Sequence, residues 1–323
     1  MAYTVKIIHN GKATDVTKTV SSVEWNDSTD QLGAEISLSI PYSRFDDNFS
    51  KVWACGDKVA IYSSGKEVIR GVITDTPING DSYKAYDYAF YLNKSETIIQ
   101  FKGIAADKAI RQLCARYSVP IGSMPSMPAS IKCVYKDKVV SDIILDILKK
   151  VRSESGTRYH MEMVKGKLCI IKGGATQIKP TYTDALGNKV SCAATAEISG
   201  TKSITEMRNQ VIYAGSDEKK TDVKAIAKSS ASISKYGLLS QVETEDKLTS
   251  AKARNKAKNM LKELNKVAVS FTADMVGNTS VRSNRMIYFS RPEMGIKGWY
   301  KVKSCTHTIA NGIHTMSCEM ERV

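Results

Sequence analysis

A single dipeptide near the end of the chain, Asn311-Gly312, constrains the fold more than any other feature. A two-residue type I′ turn needs φ > 0 at both central positions, and Asn and Gly tolerate that best. The stretch around it, Gly298 to Met320, therefore reads as an antiparallel hairpin. Ile309 then faces His314, His307 faces Met316, Cys305 faces Cys318 and Lys303 faces Met320. One face is mostly apolar, while Thr306, Thr308, Thr315, Ser317 and Glu319 line the other. Such alternation marks an antiparallel sheet buried on one side.

The same pattern occurs earlier. Val68 to Tyr88 is again two alternating runs around an Asn-Gly step, Asn79-Gly80. Each hairpin follows a short β-rich run, Val59 to Tyr62 in one case and Met286 to Phe289 in the other. Before those runs come strictly alternating strands, Ala34 to Ile40 and Val267 to Met275, and further upstream Val23 to Trp25 and Gln210 to Tyr213. Four corresponding elements in one order predict a duplicated β-domain, one copy near each end of the chain.

A chain of 323 residues holds two or three domains with a proper core. Its apolar and charged fractions, 42% and 25%, are those of ordered proteins, which excludes a disordered chain. No apolar run is long enough to cross a bilayer, and MAYTVKIIHNGK lacks the apolar segment of a signal peptide, so a cytoplasmic start is expected. Seven cysteines at scattered spacings, with no Cys-x-x-Cys pair, read as buried thiols. Cys305 and Cys318 are the pair that an oxidising setting would bridge. The net charge of +14 suggests nucleic acid or another anionic partner. The lysines, however, are spread along the whole chain and seldom interleave with aromatics, so solvated basic faces are the simpler reading.

Residues 1–100 read as strand and turn throughout, beginning with Val5 to Ile8 and a turn at His9-Asn-Gly11. Tyr83, Tyr86, Tyr88, Phe90 and Tyr91 fit the wall of a small barrel. From residue 101 to 180 a small α+β module is expected. Ile110, Leu113, Cys114 and Tyr117 fall at helical spacing, three prolines follow, and Val140, Ile143, Ile144, Ile147, Leu148 and Val151 form a second apolar stripe. Ser141 is its expected cap and Gly156 its stop. A hairpin, Tyr159 to Val164 and Lys167 to Ile171, turns at Lys165-Gly166. Residues 181–323 then hold the second β-domain. Gly173 to Gly200 reads as connection, Ser216 to Ser240 as a mobile loop, and Glu245 to Asn265 as the longest helix, acidic at its start and lysine-rich later.

Chemistry-bearing motifs do not surface. There is no phosphate loop, dinucleotide turn, nucleophile elbow or His-Glu-x-x-His helix. His307 and His314 are diagonal neighbours on one sheet face without a third ligand nearby in sequence, which suits core histidines better than a metal site. Asp142 and Asp146 mark the solvated side of one helix. No residue is singled out as catalytic, cofactor-binding or metal-binding.

Several runs carry a resemblance: Ala85-Tyr-Asp-Tyr-Ala-Phe-Tyr-Leu-Asn-Lys94, Phe101-Lys-Gly with the helix from Ala106 to Arg116, Ser229 to Leu239, Ala257 to Asn265, and Met294 to Thr308. Together they resemble the baseplate hub proteins of contractile phage tails, of the late-control type found in defective prophages and tail-like bacteriocins of Bacillus and Clostridium. The resemblance implies a mainly β chain, with two tube-like β-barrel domains flanking a small α+β module and a long helix in the second. It implies three such chains in a pseudo-sixfold ring joining a hexameric tail tube to a trimeric spike, with other baseplate proteins nearby and nucleic acid at most as passing cargo. Assembly in the host cytoplasm follows from the same likeness, with no cofactor and no enzymatic role. A peptidoglycan hydrolase of the same tail is the alternative, motivated by unassigned carboxylates.

Overall fold

The structure, a computed structural model, describes residues 3–46, 50–78, 81–173, 176–215, 222–245 and 249–322. The chain divides into two compact units, residues 1–198 with 272–321, and residues 199–271. Among the described residues no helix is long and apolar enough to cross a membrane.

In the first unit, seven strands come first: β1 (Tyr3–His9), β2 (Lys12–Asp15), β3 (Ser22–Ser28), β4 (Ala34–Ser39), β5 (Lys58–Ser63), β6 (Lys66–Asp75) and β7 (Ser82–Asp87). The α+β module follows, with α1 (Ala89–Asn93), β8 (Glu96–Ala105), α2 (Ala106–Arg116), β9 (Ser130–Val139), α3 (Val140–Ser155), β10 (Tyr159–Val164) and β11 (Lys167–Lys172). Short strands β12 (Thr176–Ile178), β13 (Thr181–Thr183) and β14 (Lys189–Ser191) lead to β15 (Glu197–Ser203), most of which falls in the second unit. The second unit contains β16 (Gln210–Ala214), β17 (Val223–Lys228), α4 (Ser230–Tyr236), β18 (Ser240–Thr244) and α5 (Ser250–Leu264). The chain ends with β19 (Ala268–Val276), β20 (Arg285–Arg291), β21 (Ile296–Ala310) and β22 (Ile313–Arg322).

The largest sheet runs β15-β19-β22-β21-β3-β4-β7-β6-β5-β1-β2, with β20 added on β21 and β12 on β20. The neighbours β4-β7-β6-β5 recur in the same order as β19-β22-β21-β20, and the strand preceding each set, β3 or β15, pairs with its first member. This is the internal repeat. Its last hairpin turns at Asn311 and Gly312, with φ of +52° and +75°, and the sulfurs of Cys305 and Cys318 lie 2.9 Å apart, as the expected register requires. The other expected turn, Asn79-Gly80, lies outside the described residues.

Several expectations need correction. Residues 1–100 are not strand and turn throughout, since α1 lies among them, and the stretch from Gly173 to Gly200, expected as connection, carries β12, β13, β14 and the start of β15. No closed barrel is found among the described residues: the pairing path is open, ending at β15 and β2. The strand that occupies the upstream place in the second repeat is β15, whereas Gln210 to Tyr213 belongs to a separate sheet ordered β17-β16-β18. β15 was masked by its own composition. A Cβ on Gly200 would come within 2.5 Å of the Ser270 carbonyl oxygen, so a residue that usually signals a loop is there to let two backbones approach. Residues 222–240 form β17, α4 and the approach to β18, not a mobile loop, while 216–221 lie outside the described residues. Finally, α3 starts at Val140 with Val139 in the cap position and no side-chain cap, which leaves Ser141 buried inside the first turn; Gly156 ends it at φ +70° as expected.

Apolar side chains on the inward positions supply the cores. Val5, Ile7, Trp25, Ile36, Leu38, Ile61 and Tyr83 fill the sheet's core, and Ile309 from the last hairpin joins them. The module has its own: Phe101, Leu113 and Leu168 pack against the Ile143, Ile144 and Ile147 stripe. In the second unit, Val211, Tyr213 and Ala225 pack on Ala253 and Ala257 of α5. That helix, expected over Glu245 to Asn265 and as the longest, runs over 15 residues from Ser250 to Leu264, one fewer than α3; Thr249 caps it, its hydroxyl accepting from the Lys252 N–H, while Glu243 and Glu245, expected at its start, lie before it and Asp246 lies outside the described residues.

Candidate functional site

The two repeats meet where β21 pairs with β3, in a register that sets His307 opposite Trp25 and Cys305 opposite Asp27. The rings of Trp25 and His307 stack with centroids 4.6 Å apart and planes 9° from parallel. His314, on β22, lies beside them. A Cβ on Gly277 would come within 2.1 Å of the His314 ring, so a glycine is needed where that ring crosses the end of β19.

Hydrogen bonds run through both imidazoles. Tyr3 Oη lies 2.7 Å from His314 Nδ1, His314 Nε2 lies 3.0 Å from His307 Nδ1, and His307 Nε2 lies 3.0 Å from the Val281 carbonyl oxygen. A carbonyl only accepts, so His307 Nε2 carries the proton; His307 Nδ1 then accepts from His314 Nε2, and His314 Nδ1 accepts from Tyr3. One consistent assignment therefore uses every nitrogen with both rings neutral. Burial pushes His307 down to about 4 and His314 to about 3, the latter helped by repulsion from its neighbour. Cys305 Sγ is 3.3 Å from His307 Nε2, and burial, followed by the contact with Cys318, raises its thiol well above the usual range.

Two buried carboxylates border this chain. Asp27 accepts from the Ser283 N–H and hydroxyl at 3.1 Å and pairs with Arg282 Nε at 3.4 Å, yet burial outweighs these and raises its pKa. Asp87 accepts from the N–H groups of Ala34 and Ala89, both at 2.9 Å, and burial lifts it to about 7. Both line a small pocket of about 20 Å³, bordered also by Trp25, Arg70 and Arg282, with room for one water molecule.

The two imidazoles and the thiol hold strands together. General acid–base work needs a group titrating near working pH with a free site for the proton. Here both imidazoles are held neutral with every nitrogen engaged, and the thiol is held protonated. Among the described residues no three metal-ligating side chains converge. Sequence reasoning placed the two histidines on one face but missed Tyr3, Val281 and Trp25, because only tertiary pairing brings them together.

The remaining expected features scatter. Tyr83 is in the sheet's core and Tyr88 packs on the module's, while Tyr86 donates to Glu35 and stacks near Phe90. Asp146 accepts a hydrogen bond from Tyr135 and pairs with Lys150 at 2.7 Å, on the solvated face of α3. Of the seven cysteines, Cys55 is exposed. A groove of about 780 Å³ beside β3 and β4 is lined by Glu24, Asp30, Glu35 and Asp142 over Phe90 and Leu145.

Residues 23–321 match the model of one family, described as YQBQ-like. The chain belongs to that family. Among relatives of this YQBQ-like chain, the phage-like element PBSX protein XkdQ of Bacillus subtilis is 30% identical over 271 residues, 82% of this chain and 81% of that one. The same fold occurs in the 43 kDa tail protein of prophage MuSo2 from Shewanella oneidensis (11% identity, 98% of each chain, TM-score 0.68). It occurs also in a tail protein from Neisseria meningitidis (13% identity, 100% of this chain and 97% of that one, TM-score 0.65). At such identities the likeness is one of architecture: a mainly β chain with few helices.

Proposed function

We propose that this chain is a structural component of a phage-type tail: the baseplate hub of a contractile injection particle, working as a ring of three copies. The observation that carries the reading is the repeated strand order, β4-β7-β6-β5 and β19-β22-β21-β20, joined within one chain through β3 and β21. Three copies would present six related modules to a hexameric tube, while the ring itself keeps threefold symmetry for a trimeric spike. Closed cyclic assemblies are the common route to such adaptors, and two unequal modules per chain reconcile the two symmetries.

In this reading, segments 1–100 and 181–323 supply the tube-like modules and 101–180 the part between them. Sheet closure takes place between chains, using the strands that end the pairing path. Tube protein, spike and other baseplate proteins are the partners, with nucleic acid at most in transit. The buried seam supports a structural role, since its polar groups are consumed in holding β3, β21 and β22 together. Native mass measurement of the chain co-expressed with its tube and spike proteins tests this. Three copies per complex are expected; one or six would overturn the reading.

A further inference from the structure

The groove of about 780 Å³ beside β3 and β4 plays no part in the seam. It lies between the outer face of the sheet and the α+β module, wholly within the first unit. Pairing sets Thr306, Asn26, Glu35 and Tyr86 in one row across β21, β3, β4 and β7, on the face that alternation turns away from the core. Within the row Asn26 Nδ2 donates to Thr306 Oγ1 at 2.6 Å and Tyr86 Oη donates to Glu35 at 3.1 Å. The Asn26 side-chain carbonyl and the Thr306 hydroxyl proton are left to meet a ligand.

From the module side come Phe90, Ser141 and Leu145. The Phe90 ring stacks on that of Tyr86, centroids 5.9 Å apart and planes 22° from parallel. Ser141 is 7% exposed and stands at the start of α3, where no side chain caps the helix. Its hydroxyl meets no hydrogen-bond partner among the described residues. A covered hydroxyl left unpaired at the wall of a groove marks a place for a ligand group.

The charges of the groove come close to balance. Glu24, Asp30, Glu35 and Asp142 line it with Lys94, while Lys84 lies 3.4 Å from Glu35 and Lys303 lies 3.7 Å from Asp30. Asp87, beneath, is buried and engaged by the Ala34 and Ala89 N–H groups. A polyanion or a basic segment therefore finds no track of a single sign. An extended peptide finds no strand edge either, since β3 and β4 each have a neighbour on both sides. What the lining offers is donors beside acceptors, next to an aromatic surface. Sugar rings match that combination, with hydroxyls that both donate and accept and an apolar C–H face that packs on aromatic rings.

We infer that this groove binds an uncharged oligosaccharide, its hydroxyls on Thr306, Asn26, Glu35 and Ser141 and one ring face against Phe90 and Tyr86. The volume, within the usual range for ligand sites, holds more than one ring. This goes beyond the hub reading and does not rest on it.

A printed array of uncharged glycans, bacterial cell-wall and capsule oligosaccharides among them, probed with the full-length chain, tests the site. At least one glycan should bind, and its affinity by calorimetry should be the same at low and raised salt, because no net charge is neutralised. Ser141→Ala and Thr306→Val keep the shape and remove a hydroxyl, so each should weaken binding about threefold or more. Phe90→Ala should weaken it about tenfold. An unchanged circular dichroism spectrum and Tm confirm that the variants fold. No uncharged glycan bound, binding lost at raised salt, or affinity undiminished in all three variants would overturn the inference. A three-copy ring built from chains that bind no glycan would refute this site and leave the hub reading intact.

Discussion

Trp25 and His307 lie nearly parallel across the β3–β21 pairing, centroids 4.6 Å apart, and this contact joins one sheet repeat to the other. Around it every imidazole nitrogen is engaged, and the bonds to Tyr3 and Val281 set the direction of each proton. Polar groups placed this deep specify one register, because a shift of one residue would leave them unpaired in the core.

Acid should loosen this seam. Both histidines have folded-state values below the ordinary 6.5, about 4 for His307 and about 3 for His314. The unfolded chain therefore binds protons first, so stability is fully present above pH 6.5 and falls as pH drops toward 4. Each ring contributes on the order of 3 kcal/mol across that window. Urea midpoints measured from pH 7 to 4 should fall steadily, and His307→Gln should flatten the slope; an unchanged slope would mean that His307 takes up its proton equally in the folded and the unfolded chain.

Asp87 works in the opposite direction. Burial raises its carboxyl to about 7, so the fold holds a proton that the unfolded chain releases above about 4. Its contribution is full below pH 4 and is lost as pH rises through 7. Asp87→Asn should start less stable by about 1–3 kcal/mol, since one acceptor for the Ala34 and Ala89 N–H groups is removed, yet lose less between pH 5 and 8. Thermal melts across that range check it.

Gly277→Ala should cost about 1–3 kcal/mol, because its methyl would meet the His314 ring at about 2.1 Å and force that ring off its partners. The low-pH loss should shrink in the same variant. A cost under a few tenths would mean that the ring moves freely.

Arg285 and Glu162 join β20 to β10 through two parallel bonds of 3.0 Å, with both side chains largely covered. Arg285→Met alone should destabilise by about 3 kcal/mol, because it strands a covered carboxylate, whereas Arg285→Met with Glu162→Leu should lie within about 1 kcal/mol of wild type. Equal costs for the single and double variants would assign the effect to packing.

Much of this fold is legible in the chain because local rules and tertiary outcome agree. Asn311-Gly312 demands a hairpin and makes one; the Val140 to Val151 stripe and Gly156 define α3 almost to the residue. Where local signals mislead, a specific residue is responsible. Gly200 suggests a loop but permits a close strand pairing, and Lys136, Asp137 and Lys138 hide β9 behind register shifts and an outward polar face. The seam was half visible: alternation places His307 and His314 together, while Tyr3, which completes the chain of bonds, comes from the opposite terminus.

Cryo-electron microscopy of the intact particle bears most directly on the central claim. Density at the end of the tail tube should contain three copies of this chain, each contributing its two repeats to a ring of six related modules. One copy, six copies, or a ring to which each chain gives a single repeat would contradict it.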